Sequence, residues 1–196
     1  HLMSFKGMPA YVTPSDPEKA INFWLAARFL AAVSLVLVAA VPWKPLQRPV
    51  LRVGMMAGVL AVVALAHWAF LFYPASIPRT FIAGSGLTEL KVNLEYGLIG
   101  LHLVAAACLL RRQRTEPGPH ATALLGAVLT MAMSELFFTM YANVTDLFNL
   151  AGHVYKVIAY LFLYQGIFVA TVQRPYQALD TVQNSLKATL EAVPDM

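Results

Sequence analysis

Long apolar runs, separated by short polar stretches rich in proline, dominate the pattern along this chain. A helical span needs about 20 mostly apolar residues to cross ~30 Å of hydrocarbon. Five runs qualify: about Ala20–Val41, Val53–Tyr73, Val92–Leu110, Ala121–Ala142 and Gly152–Val172. They are continuously apolar rather than alternating, which favours helices, because a helix satisfies its backbone within one segment. The pattern predicts an all-α fold, a polytopic transmembrane helical bundle with five spans.

Composition agrees with a protein whose solvent is lipid. Apolar residues make up 59% of the 196 residues and charged residues 12%, against about 45–50% and about 25% in soluble domains. The single cysteine, Cys108, excludes an internal disulfide framework and a cysteine-based zinc site. The net charge of +4 is small and dispersed, so the lipid bilayer is the expected partner and nucleic acid is not.

The basic residues between the spans are distributed unevenly. Cytoplasmic loops of membrane proteins carry an excess of lysine and arginine. One side of the predicted bundle has Lys44, Arg48, Arg52, Arg111, Arg112, Arg114, Arg174 and Lys187, and the other has Lys6, Lys19, Arg79 and Lys91. The richer side, which includes the C-terminus, is predicted to be cytoplasmic. An outside start with an odd number of spans and no signal peptide leads us to expect further spans before residue 1.

The tail after the last span has a different pattern. Residues 1–173 are predicted to form the transmembrane domain and residues 174–196 a cytoplasmic helix. Apolar side chains recur there at intervals of three and four, at Leu179, Val182, Leu186, Leu190 and Val193. The seam suits a parallel homodimer that passes motion to a downstream domain. The alternative is a short amphipathic exit helix.

Four charged residues fall inside the spans, where each costs about 2.5–3.5 kcal/mol on insertion scales. They are Arg28, Glu95, Glu135 and Lys156, and all lie in the predicted outer half of the bilayer. Matched depth suggests that Arg28 pairs with Glu135 and Lys156 with Glu95. Helical spacing places His153, Lys156, Tyr160 and Tyr164 on one stripe, and Lys91, Glu95 and His102 on another.

Three interpretations of this polar layer remain open. The charges are structural ion pairs, or they line an outward-opening ligand cavity, or they belong to a transport path. The last is weak because the inner halves of the spans lack titratable groups. The candidate ligand-binding residues are His1, Asn22, Trp24, Arg28, Glu95, Glu135, Tyr141, His153 and Lys156. Arg28 and Lys156 would face an anion, and Glu95 and Glu135 would hold them.

Catalytic and metal sites have less support. The chain has no catalytic triad pattern, no HExxH and no phosphate-binding glycine loop, so it is not expected to be an enzyme. His67, His102 and His153 are candidate ligands for a haem or metal. A membrane redox sensor holding such a group is therefore the alternative function.

Several blocks of the chain resemble a known bacterial family, the membrane-associated sensor domains of the third type. The blocks are Lys6–Pro9, Val12–Glu18 running into Ile21–Arg28, Arg79–Ile82 with Gly84–Thr88, Ser134–Thr139, and Asn143–Val169 continuing to Tyr176. The last block, which contains Asp146–Leu150 and Gly152–Tyr160, is the longest and most specific. Family members have additional spans before the position of His1.

The resemblance implies a sensory input module in the bacterial inner membrane. Such modules precede diguanylate cyclase, phosphodiesterase or histidine kinase outputs, often through a PAS domain, and the segment Leu190–Met196 resembles the start of one. We therefore expect a stimulus from the periplasm or the outer leaflet to change how the fifth helix packs. The ligand itself is not implied by the resemblance.

Overall fold

The computed structural model describes residue 9 and residues 12–14, 16–43, 48–82, 86–115, 118–140, 146–168 and 172–192. Its helices are α1 (Pro17–Ala40), α2 (Pro49–Phe72), α3 (Glu89–Thr115), α4 (Pro119–Met140), α5 (Leu147–Phe168) and α6 (Arg174–Ala192). The first five are long and apolar enough to cross a membrane, and each overlaps one predicted span. The predicted fold class, a five-span helical bundle followed by one further helix, is confirmed.

Local sequence accounts for where the helices begin. Asp16 caps α1 by accepting a hydrogen bond from the backbone N–H of Glu18 at 3.1 Å, and Pro17 occupies the first turn. Pro49 has the same role in α2. The Thr88 hydroxyl accepts from the backbone N–H of Lys91 at 3.3 Å, one turn into α3. Each cap satisfies a backbone donor that the helix leaves unpaired.

A small hairpin between α2 and α3 departs from the purely helical prediction. A 3₁₀ turn at Pro74–Ser76 precedes β1 (Phe81–Ile82), which pairs antiparallel with β2 (Gly86–Leu87). Gly86 has a φ of 87°, in the left-handed region that favours glycine. The hairpin packs on α1 and places Thr80 beside the first helix.

The helices pack in the order α2, α1, α3, α4, α5. The core between α1, α3 and α4 is built from small and aliphatic residues: Ala39, Ala105, Ala106, Leu109, Leu124 and Val128. In contrast, α2 has no buried residue and contacts α1 mainly where Phe23 packs on His67 and Phe70, with centroids 4.9 and 5.1 Å apart. The second helix is therefore peripheral within the described part of the chain.

Glycines bring α4 and α5 close together. Gly126 faces Phe162, Gly152 faces Phe138, and Gly166 faces Leu124. Small residues at helix contacts allow backbones in membranes to approach and gain dispersion energy. The Ser134 hydroxyl also donates to the Gly152 carbonyl at 2.7 Å, so the α4–α5 contact is fixed by both packing and hydrogen bonding.

Replacing Gly152 with alanine is expected to destabilise the bundle by about 1–3 kcal/mol, the usual cost of overpacking. A Cβ at this position would lie 2.7 Å from the ring of Phe138, which is fully buried. The matched control is Gly54→Ala on α2, where a Cβ meets nothing within 4 Å. Thermal unfolding in detergent should separate the two variants, and equal melting temperatures would contradict this packing.

The last helix exposes an apolar stripe. Leu179, Val182 and Leu186 are all exposed on α6, at the three- and four-residue spacing that the sequence shows. The side chain of Leu190 and all of Val193 lie outside the described residues. The described chain thus ends in an amphipathic helix whose apolar face is uncovered.

Candidate functional site

Five charged side chains from four helices meet inside the bundle. Arg28 comes from α1, Lys91 and Glu95 from α3, Glu135 from α4 and Lys156 from α5. Their exposed fractions are 8%, 1%, 0%, 1% and 8% in that order. We call these five residues the charge network. Their burial means that water contributes little to their solvation, so the protein must supply counter-charges.

Arg28 is the bridge of the charge network. One terminal nitrogen of its guanidinium pairs with Oε1 of Glu95, and the other pairs with Oε2 of Glu135. The planar fork of arginine suits two carboxylates at once, and a lysine ammonium would not reproduce this geometry. Arg28 therefore links α1 to both α3 and α4.

Each carboxylate also binds a lysine. Lys91 lies 2.9 Å from Oε1 of Glu95, one turn away on α3, and donates to the backbone carbonyl of Phe138 at 2.8 Å. Lys156 lies 3.1 Å from Oε1 of Glu135 and thereby links α5 to α4. All four helices of the network are thus connected through charge-assisted hydrogen bonds.

An aromatic cluster covers the cations. Trp24 stacks on His153 with ring centroids 4.9 Å apart, and Phe138 packs edge-on against both. The guanidinium carbon of Arg28 is 5.0 Å from the centroid of Phe138, and the Lys156 ammonium is 5.1 Å from it. Cation–π attraction is stronger in desolvated surroundings, so these rings partly replace water around the two cations.

A cavity of about 90 Å³ adjoins the charge network. Its polar and aromatic lining consists of Trp24, Arg28, His102, Glu135, Lys156 and Tyr160, and its apolar lining of Ala27, Ala31 and Met131. The space suits a few water molecules or one small solute. It is far smaller than the 300–1,000 Å³ of typical drug-sized ligand pockets.

The structure brings together several of the residues that the sequence predicted. The pair Arg28–Glu135 is present as expected. The expected pair of Lys156 with Glu95 is wrong, because Lys156 binds Glu135 and Glu95 instead binds Arg28 and Lys91. Arg28 contacts both carboxylates. Lys91 pairs with Glu95 on its own helix, and Lys156 pairs with Glu135 on the neighbouring helix α4.

One of the two predicted polar stripes is buried along a single face, and the other is not. On α3, Lys91, Glu95 and His102 are all buried on one face. On α5 the buried face is instead Gly152, Lys156, Ala159 and Gly166. Tyr160 and Tyr164 are 55% and 64% exposed, so this stripe does not line one cavity. Only its member Tyr160 reaches the cavity beside Lys156.

The remaining candidates lie at different places. Asn22 is buried, and its side-chain oxygen accepts from the Thr80 hydroxyl at 2.7 Å. It lines a separate cavity between α1, the end of α2, the segment that follows α2 and the start of α3. His153 is exposed, although its ring stacks on Trp24 and contacts Phe138 edge-on. His1 and Tyr141 lie outside the described residues.

Sequence reasoning missed two members of the site. Lys91 was placed on the helical face of Glu95 and His102, but it was counted with the loop cations and left out of the candidate ligand-binding residues. The structure buries it in the charge network. Its spacing of four from Glu95 was the available signal. Phe138 had no polar signal at all, and only the packing shows that it contacts both buried cations.

The three candidate metal-binding histidines do not converge on one cavity. His102 lines the cavity of the charge network, whereas His67 lines an apolar groove between α1 and α2. In each of His67, His102 and His153, Nδ1 donates to a carbonyl one turn back on its own helix, at 2.8 Å. Within the described residues, no group of three or more metal-ligating side chains is present.

The fold and this site define a polytopic membrane protein with a charged centre buried between its helices. A family model, MASE3, described as a membrane-associated sensor domain, matches residues 1–175. The chain belongs to this family, which gives it a sensory input role in a membrane. No curated protein and no solved structure matches it.

Proposed function

We propose that the charge network is the sensing centre of this module and that α5 and α6 carry its state to an output domain. The observation that supports this most directly is the connection of α1, α3, α4 and α5 through five mutually paired charges. Packed, paired centres have discrete arrangements rather than continuous ones. A ligand that prefers one arrangement shifts the population toward it.

Lys156 is the proposed link to the output. It is the member of the charge network on α5, and it lines the cavity next to Arg28 and Glu135. A ligand bound in the cavity would compete with Glu135 for the ammonium group of Lys156. The position of α5 against α4 would change in response, through the small sliding of packed helices that is common in such transitions.

The path onward leads through the joint between α5 and α6. Val172 and Gln173 form part of a π-helical turn immediately before α6, a feature often found at functional positions. Beyond it, the exposed apolar stripe of α6 suits a parallel homodimer. A dimeric α6 would present two output domains to each other in an arrangement that depends on α5.

The distribution of basic residues supports a cytoplasmic C-terminus, and the family match supports a membrane location. The resemblance of the sequence blocks to bacterial sensor modules points to the inner membrane. We therefore propose that the output lies in the cytoplasm and is an enzyme of cyclic-di-GMP turnover or a histidine kinase. The module itself would be a non-catalytic input domain, and the residues that contact its ligand would be Trp24, Arg28, Glu135 and Lys156.

The proposal is tested by joining the chain through α6 to a diguanylate cyclase domain and measuring cyclic-di-GMP formation in bacterial membranes. Lys156→Met should change the output severalfold, because it disconnects α5 from the charge network. Arg52→Met is the control, since it removes one cation from the exposed start of α2. If both variants give the unmodified output at equal expression, the charge network is not the sensing centre.

A further inference from the structure

The charge network is not balanced. Three cations, Arg28, Lys91 and Lys156, face two carboxylates, Glu95 and Glu135, so one formal positive charge is left over among the described residues. All five are at least nine-tenths buried. An uncompensated charge in apolar surroundings is costly, and proteins pair it, coordinate it or lose it by proton transfer. One further negative charge next to the network would compensate this surplus positive charge.

The cavity is where such a charge fits. It lies against Arg28 and Lys156, the two cations that the aromatic cluster also contacts. It is also lined by one carboxylate, Glu135, so its charged lining carries one net positive charge. Within the described residues, Nε of Arg28 has no hydrogen-bond partner. A buried guanidinium N–H without an acceptor is unusual. The cavity volume of about 90 Å³ is large enough for an anion of only a few heavy atoms.

His102 requires a hydrogen-bond donor, whereas the two cations require acceptors. Its Nδ1 lies 2.8 Å from the Leu98 carbonyl, and because a carbonyl can only accept, the proton is on Nδ1. In neutral imidazole, Nε2 is then an acceptor, and it has no partner among the described residues. His102 is 2% exposed and lines the same cavity. The occupant therefore needs acceptor oxygens for the cations and one O–H for His102.

We propose that this cavity binds a small monovalent oxyanion that carries one O–H group, the chemistry of bicarbonate. Its negative oxygens accept from Arg28 and Lys156, and its hydroxyl donates to Nε2 of His102. This ligand class deepens the proposed function and rests on it for its sensory meaning. The binding itself depends only on the surplus charge and the unpaired atoms.

Nitrate is the matched probe, because it has the shape and charge of bicarbonate but no hydroxyl. Trp24 lines the cavity, so the chain with Trp43→Phe and Trp68→Phe retains one tryptophan as a reporter. Bromide, a monovalent anion that quenches tryptophan on contact, reports occupancy in phosphatidylcholine nanodiscs. We expect bromide quenching to saturate, and we expect bicarbonate to relieve it at a concentration roughly fivefold or more below that of nitrate, the worth of one hydrogen bond.

Four variants show which residue causes each effect. Lys156→Met removes the surplus charge and should raise the half-saturating bromide concentration roughly tenfold or more, whereas Lys156→Arg should retain saturation. His102→Leu should abolish the preference for bicarbonate over nitrate. His67→Leu is the control, because His67 makes the same bond to its own helix but lines a different cavity. Circular dichroism checks that each variant is folded.

Linear quenching with the same slope in the unmodified chain and in Lys156→Met would overturn the proposal, since the cavity would then contain only water. Equal competition by nitrate and bicarbonate would overturn the role of His102. Absence of anion binding together with an altered output in Lys156→Met would refute the anion and leave the proposed function standing. Anion binding without any change in output would support the anion site and refute the proposed function.

Discussion

Replacing Glu135 with glutamine is expected to destabilise the bundle by about 3–5 kcal/mol, the cost of leaving buried charges uncompensated. Glu135 accepts from both Arg28 and Lys156. Glutamine has the same shape but no charge, so the substitution leaves three buried cations with the single carboxylate of Glu95. The measurement is the free energy of unfolding in mixed detergent micelles.

Replacing the cation of the Glu135–Lys156 pair is expected to have a much smaller effect on stability. Lys156→Met should cost only about 1.5 kcal/mol, at the low end for a lost charge-assisted hydrogen bond. Glu135 still has Arg28 as its partner, and the surplus positive charge disappears. Glu89→Gln, the same chemical change in the exposed first turn of α3, should cost less than about 1 kcal/mol, because it loses only an exposed interaction with the helix dipole. Equal losses in the Glu135 and Lys156 variants would contradict the imbalance of the charge network.

Inserting two residues into α6 after Gln177 is expected to abolish regulation of an attached output. Two residues rotate the following helix by about 200°, which turns the stripe of Leu179, Val182 and Leu186 away from its present face. Inserting seven residues at the same place restores the face to within about 20° and should preserve regulation. Cyclic-di-GMP formation by the cyclase fusion measures both, with output from the unmodified fusion as reference.

If the two insertions behave alike, the output does not depend on the rotational phase of α6. That result would contradict a dimeric α6 as the route of the signal. It would not affect the charge network, which lies on α1, α3, α4 and α5 and is tested by stability. The two predictions therefore fail independently.

Much of the fold could be predicted from the sequence because the membrane limits the choices. Runs of about 20 apolar residues have to be helices in lipid, and all five were found with ends that shifted by a few residues. The helix starts moved because they are set by the cap at Asp16 and by the first-turn proline Pro49, which a hydropathy pattern does not contain. The hairpin at Phe81–Leu87 was too short to give a periodic signal.

The site was predicted less completely. Arg28, Glu95, Glu135 and Lys156 were found because a charge within an apolar span is conspicuous. Of their pairings, Arg28–Glu135 was predicted correctly and Lys156–Glu95 was not, since depth along a helix does not say which helices are neighbours. Lys91 shows the limit clearly. Its spacing placed it on the face of Glu95, but its position near a span end led to its being counted with the loop cations. Only the packing of α3 against α4 shows that it is buried beside Phe138.

The sequence by itself determined that this protein is a membrane helical bundle with charge in an otherwise apolar interior, because hydrophobic length and the cost of buried charge act locally along the chain. Only the tertiary structure decided that Arg28 joins two carboxylates, that Phe138 and Trp24 cover the cations, and that a small cavity adjoins His102. These features depend on distances between residues far apart in sequence, and such distances are set by the packing of small residues between helices.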